Sequence, residues 1–204
     1  MKKLVFTVIL AAVLWTVMFS PGTAPHINFW VMMSCSATVL SVLATIFNPG
    51  WWKDIRWRFS DVALGVVIAA ALWGIFWTGD KVSTWIFDFA RPQVDEIYGI
   101  RGVASPWVLS VLMLVLIGPA EEIFWRGYVQ KTLSSQWGRE TGFAVATLLY
   151  AAVHAGSCNF MLVMAALVAG IVWGGLYMLF PSRFPAIIVS HALWDAAVFI
   201  WFPI

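Results

Sequence analysis

The sequence is short of charge. Only 11% of its 204 residues are Asp, Glu, Lys or Arg, less than half of the ~25% usual in soluble domains. A chain this poor in charge cannot cover itself with a water-facing surface, so an ordinary soluble domain is excluded. Its net charge of +2 supplies too little positive potential to hold a nucleic-acid backbone. The two cysteines, Cys35 and Cys158, lie in or beside apolar segments and are expected to be small buried thiols, with nothing to show whether they pair. There is no internal repeat, no low-complexity tract and no room for a separate soluble unit. Residues 1–204 are expected to form a single integral membrane domain.

What is present fits a bilayer. Hydrophobic residues make up 62%, with fourteen Trp and fifteen Phe, and the mean hydropathy is +0.87. A hydrocarbon core about 30 Å thick takes roughly 20 apolar residues as a helix. On that ruler the expected spans are 4–20, 27–47, 61–79, 106–125, 141–156, 159–180 and 185–203, an all-α, polytopic membrane helical bundle of about seven transmembrane helices. Pro21-Gly22, Asn48-Pro49-Gly50 and Pro181-Ser182-Arg183 mark breaks. The N-terminus resembles a secretory signal, with Lys2 and Lys3 before an apolar run from Leu4 to Phe19. Pro25 directly after the small-residue site Ala24 and the length of the run argue for a retained helix.

Lys and Arg set the orientation. With the N-terminus inside, Lys2, Lys3, Lys53, Arg56, Arg58, Arg126, Lys131, Arg139 and Arg183 fall on the inner side. Only Lys81, Arg91 and Arg101 fall outside, in one loop from about Asp80 to Ser105. Nine against three gives a cytoplasmic N-terminus. Val82–Ala90, with Trp85, Phe87 and Phe89, is expected to be an interfacial helix on the outer leaflet. The lysine-rich start and compact size suggest a bacterial inner membrane.

An ionisable group at the bilayer centre costs ~2.5–3.5 kcal/mol on insertion scales, so such residues are rare unless required. Here they are concentrated in three spans: Glu121, Glu122 and Arg126, then Tyr150 with His154, then His191 with Asp195. Glu122 and Arg126, four apart, share a helix face and can form an ion pair. Glu121 is turned by ~100° and points elsewhere. The other two pairs repeat the four-residue spacing. Three polar stripes would not face lipid, so they are expected to converge inside the bundle, where a free carboxylate and two imidazoles can handle protons. Asp195 either orients His191 through a ring nitrogen or acts directly. His26 has no acidic partner close in sequence and is read as bland. Depth is harder to reconcile. At 1.5 Å per residue, Glu121 lies ~22 Å from an inner end near Gln136 and His191 only ~9 Å from Pro185. The groups meet only if the helices tilt, kink near Gly118-Pro119 or start deeper.

The stretches Glu121-Glu122-Ile123-Phe124-Trp125-Arg126, Tyr150-Ala151-Ala152-Val153-His154 and His191-Ala192-Leu193-Trp194-Asp195 resemble, in order, the three motifs of the CPBP family, also called the Abi or CAAX-protease family of intramembrane endopeptidases. The resemblance covers about 106–204. It implies peptide-bond hydrolysis at or within the membrane, with a membrane-anchored protein or peptide as substrate. Glu121 with His154 would activate a water, His191 and residue 195 would stabilise the oxyanion, and Glu122, Arg126 and Tyr150 would support the site. Two departures stand out. Tyr150 replaces the usual Phe and adds a hydroxyl able to hydrogen-bond nearby. Asp195 stands where many members have Asn; an ionised Asp cannot donate to an oxyanion, so it is either a protonated donor or an orienter of His191.

No metal or other cofactor is favoured, because a glutamate-activated water needs none. If zinc were used, Glu121, His154 and His191 are the acceptable ligand types. The zinc-protease pattern His-Glu-x-x-His, the Gly-x-Ser-x-Gly elbow and the Gly-x-Gly-Asp signature are all lacking. A proton- or ion-coupled transporter is the main alternative, since buried acids and histidines also mark ion pathways. Transporters tend to carry broken helices in both halves, whereas here the polar residues sit only in the second. A catalytically idle scaffold or immunity protein is the third reading. Nothing in the sequence recognises a prenyl group.

Overall fold

The computed structural model describes all residues except Gly50, the last of the Asn48-Pro49-Gly50 break, and Val103. The described residues form helices and connecting turns without a β-strand. We number the helices α1 (Lys2–Phe19), α2 (Phe29–Phe47), α3 (Phe59–Ile86), α4 (Ala90–Gly99), α5 (Pro106–Trp137), α6 (Arg139–Ala152), α7 (Phe160–Leu179) and α8 (Phe184–Ala196, continued by a π-helical turn to Trp201).

The distribution of side chains is inverted relative to a soluble protein. Val5, Phe6, Ile9 and Val13 on α1, Val39, Val42 and Ile46 on α2, and Val62, Val66 and Val67 on α3 all face outward, while Asp61, Glu121, Glu122, Arg126, His191 and Asp195 are buried. In water this arrangement would be costly on both counts. In lipid the outer face is already in its preferred solvent, and polar groups must find partners inside. The chain is an integral membrane helical bundle. Among the described residues, six helices are long and apolar enough to cross a bilayer. The seventh expected span, α6, has 14 residues, about 21 Å at 1.5 Å per residue, and so crosses only part of the apolar layer.

Local chemistry accounts for most helix ends. Asn28 caps α2 by accepting from the Val31 N–H, and Asn159 caps α7 by accepting from Leu162. Asp61 accepts from the Arg58 backbone N–H and from the Arg183 guanidinium at 2.9 Å, which ties the start of α3 to the start of α8. Gly138, at φ +89°, makes the turn from α5 to α6 in a backbone conformation that only glycine adopts at no steric cost.

Two expectations are corrected. Val82–Ala90 is not an interfacial helix: α3 continues to Ile86, because nothing between Thr78 and Ile86 breaks it, and the short helix of that segment is α4. Neither cysteine is buried; both Cys35 and Cys158 are exposed and free.

The depth mismatch is resolved by close packing in the middle of the bundle. Pro119 removes one backbone donor from α5 and crowds the carbonyl of Val115; the helix accommodates it with a π-helical turn at Met113–Ile117. A second π-helical turn, Trp125–Gln130, follows the seven residues Gly118–Phe124. These wide turns bracket Glu121 and Glu122. Gly118 lets α8 approach this segment directly: a Cβ there would lie 2.6 Å from Ala192 Cα and 2.8 Å from its nitrogen. Since both atoms are backbone, a helix must move to make room. Gly118→Ala is therefore expected to destabilise the protein by about 1–3 kcal/mol, read from unfolding in detergent micelles. Gly74→Ala, where nothing lies within 4 Å, should leave stability unchanged or slightly raised. Equal behaviour of the two variants would contradict the tight α5–α8 approach.

Candidate active site

Every residue singled out from the three polar stripes lies in one region between α5, α6 and α8. Glu122 is fully buried, and its Oε1 accepts from two donors. The Arg126 guanidinium donates at 2.9 Å from one turn along α5, and His191 Nδ1 approaches at 2.6 Å from α8. The expected i, i+4 ion pair is present, but it also has this third member. His191 is further fixed by Trp173 of α7, whose ring stacks on the imidazole with centroids 3.8 Å apart and planes 16° off parallel. The Arg126 guanidinium lies over the rings of both Tyr150 and Trp173, at 4.8 and 5.6 Å, geometry suited to cation–π attraction.

Glu121 points away from this group, as its rotation along the helix requires. It accepts from the Tyr150 hydroxyl at 3.0 Å, so the added oxygen of Tyr150 has a defined use. Asp195 stands 3.5 Å from His191 Nε2, too long for a strong hydrogen bond. The orienting bond to His191 therefore comes from Glu122, across the bundle, and Asp195 is a weaker neighbour on the same helix.

His154 departs from the helical spacing read from the sequence. Helix α6 ends at Ala152, and the His154 N–H bonds to Ala151 rather than continuing the helix. The Tyr150 carbonyl is one of the acceptors that a helix end leaves without an intrahelical donor, and His154 Nδ1 takes it at 2.8 Å. The other ring nitrogen, Nε2, receives the indole N–H of Trp15 on α1 at 3.1 Å. A carbonyl only accepts and an indole N–H only donates. His154 is thus the tautomer with its hydrogen on Nδ1.

Glu121, Tyr150, His154, His191 and Asp195 all line one cavity of about 510 Å³. Glu122 and Arg126 stand behind its wall. The rest of the lining is almost entirely apolar, drawn from α1, α2, α3, α7 and α8, with α4 across one end. Polar contacts hold α4 there. Asn159 donates to the Gln93 carbonyl, Gln93 Oε1 accepts from the Met161 N–H, and Tyr98 Oη accepts from the Ile204 N–H at 2.8 Å. Burial pushes the Tyr98 phenol above its ordinary range, so it remains a neutral hydroxyl at any working pH.

These residues do not fit a shared metal ion in this arrangement. Both ring nitrogens of His154 are engaged, and Nδ1 of His191 is held by Glu122. Among the described residues no three His, Cys, Asp or Glu side chains are grouped to hold one. His26 is exposed and lies outside the site. Sequence reasoning missed Trp15 and Trp173. Neither carries a local signal, being two of fourteen tryptophans in an apolar chain.

Residues 103–197 match the family model described as Type II CAAX prenyl endopeptidase Rce1-like. The CPBP resemblance is borne out over that stretch, somewhat under half of the chain, and it supports an intramembrane endopeptidase. No curated protein and no solved structure matches the chain.

Removing one partner of a buried ion pair leaves an uncompensated charge at a cost of about 3–5 kcal/mol. Arg126→Leu is expected to destabilise by that order, because Glu122 would keep only His191. Unfolding in detergent measures it; an unchanged midpoint would mean that Arg126 does not balance Glu122.

Proposed function

We propose that this chain, in which residues 103–197 match an endopeptidase family, hydrolyses a peptide bond of a membrane-anchored protein or peptide with water activated by Glu121. One observation carries the reading. A carboxylate of α5, an imidazole from the turn after α6, and an imidazole and a second carboxylate of α8 line a single apolar cavity of about 510 Å³, large enough for a few side chains of a peptide. Polar groups in a membrane protein are expensive, and purely structural ones would be matched with one another. Glu122 and Arg126 are matched in that way. Glu121, His154, His191 and Asp195 instead border open space.

In the proposed reaction Glu121 takes a proton from a water held between it and His154, and the hydroxide adds to the scissile carbonyl. His191 donates its Nδ1–H to Glu122 and turns Nε2 to the cavity; in the doubly protonated ring Nε2 also carries an N–H, and that is the donor which receives the developing oxyanion. Tyr150 holds the Glu121 carboxylate in place through its hydroxyl. When the C–N bond breaks, Glu121 returns its proton to the departing amine, which leaves two peptides and the site in its starting state. Asp195 sits 3.5 Å from His191 Nε2, where as a protonated acid it donates to the same oxygen. No metal takes part in this scheme.

The charge count along the chain puts the N-terminus in the cytoplasm. In that orientation the cavity, bordered by Phe19 at the end of α1, Phe29 at the start of α2 and α4, lies toward the opposite face. We read the host membrane as a bacterial inner membrane and the substrate as a membrane-anchored segment cut near that face.

The test compares membrane and secreted proteomes of host cells producing the wild-type chain or Glu121→Gln. The substitution keeps the shape of the side chain and removes its basicity. New C-termini present only with wild type, at least 100-fold above the variant on the order expected for loss of a general base, establish the activity and identify the substrate. Identical proteomes from equally folded proteins would reject hydrolysis and leave transport or a scaffold role.

A further inference from the structure

The proposed reaction needs a lone pair on His154 Nε2 to accept a hydrogen bond from the attacking water, because Nδ1 carries the hydrogen donated to the Tyr150 carbonyl. A neutral imidazole has one such lone pair. In this structure the Trp15 indole N–H occupies it at 3.1 Å. Water and Trp15 therefore compete for one acceptor, and the site as it stands is not assembled for reaction.

This contact is built into the fold. Trp15 is 1% exposed, and its indole meets the imidazole edge-on, with planes at 83° and centroids 6.2 Å apart. The next residue of α1, Thr16, packs against the turn that carries His154: a Cβ on Gly156 would lie 2.6 Å from Thr16 Oγ1. One turn further along α1, Phe19 contacts the His154 ring at 5.8 Å and the Phe29 ring at 5.2 Å. Phe19 also lines the cavity. A peptide entering the cavity must press on Phe19, and Trp15 lies on the same face of the same helix, four residues away.

We infer that Trp15 is a positioning residue of this site: it fixes the tautomer of His154, blocks its water-binding nitrogen in the resting state, and withdraws when a substrate displaces Phe19. The inference rests on the endopeptidase reading. It makes the presence of a fitting substrate a condition for assembling the catalytic groups, which is induced fit. The groups facing His154 from the surrounding helices are the Trp15, Phe19 and Tyr150 rings, so no other charged side chain is needed to explain how it is held.

Two measurements on the full-length protein in micelles and in cells test it. Histidine-selective 15N NMR, with His154→Gln used to assign the signal, reads the state of Nε2 directly and needs no substrate. Trp15→Phe, or 2-naphthylalanine placed at position 15 should the phenylalanine variant fail to fold, removes the N–H while keeping an aromatic ring. The His154 Nε2 resonance should move toward that of a free lone pair. In the proteome assay the same variant should raise the rate of wild-type cleavage about two- to tenfold, the equivalent of one neutral hydrogen bond, and should add cleavage sites that wild type leaves intact. An Nε2 signal indifferent to the change would overturn the contact. A shifted signal with cleavage lowered would overturn the competition and make the indole a donor that catalysis requires. If wild type cleaves no more than Glu121→Gln, the endopeptidase reading fails instead, and the NMR result still reports on the contact by itself.

Discussion

One carboxylate oxygen organises this protein. Glu122 Oε1 is shared by Arg126 on its own helix and His191 on α8, at 2.9 and 2.6 Å. Inside a membrane neither carboxylate nor guanidinium can turn to water, so each must be answered by another group of the protein. The bond from His191 to Glu122 Oε1 holds α8 against α5 near Gly118, where only a residue without a side chain permits the approach. It also fixes which nitrogen His191 offers to the cavity. Trp173 covers the other side of the imidazole, and Arg126 lies against Tyr150, whose hydroxyl reaches Glu121. Glu121 is thereby oriented by Tyr150, which lines the cavity with it, and His191 by Glu122 and Trp173 behind the cavity wall.

Much of this was legible in the sequence, for identifiable reasons. Charged residues in apolar spans are conspicuous, and the helical period separates them: adjacent Glu121 and Glu122 had to point in different directions, and they do, one toward Tyr150 and one toward Arg126. The family motifs then fixed which groups belong together. The depth at which they meet was not legible. It depends on π-helical turns around Gly118–Phe124 and on where α8 begins, neither of which alters the local pattern of apolar and polar residues. Asp195 illustrates a different limit. Its spacing from His191 suggested an orienting bond within α8, but a side chain from another helix, Glu122, makes the shorter contact. Trp15 and Trp173 were invisible because a buried tryptophan with a polar partner looks, in sequence, like any other tryptophan in a membrane span. The length of α6 was overestimated because its apolar character continues past Ala152 although the helix does not.

The cavity and the residues behind it make opposite demands. Glu122, Arg126 and Asp61 are held in close pairs, the usual condition for charge in a bilayer. Glu121, His154 and Asp195 border space, and that is tolerable only if water or substrate can occupy it. A site of this kind is stable because a rigid, matched layer supports a less satisfied one. It also explains why the non-motif helix α1 matters: its Trp15 supplies a temporary partner to a histidine that would otherwise face the cavity with an unmet acceptor.

The central claim is that Glu122 couples α5 to α8 through His191. A double-mutant cycle tests it, combining Glu122→Gln and His191→Asn and measuring unfolding free energies in detergent for the wild type, both single variants and the double variant. The account predicts a coupling of more than about 1 kcal/mol, as found for directly bonded groups. Effects that add to within about 0.5 kcal/mol, the behaviour of independent positions, would contradict it.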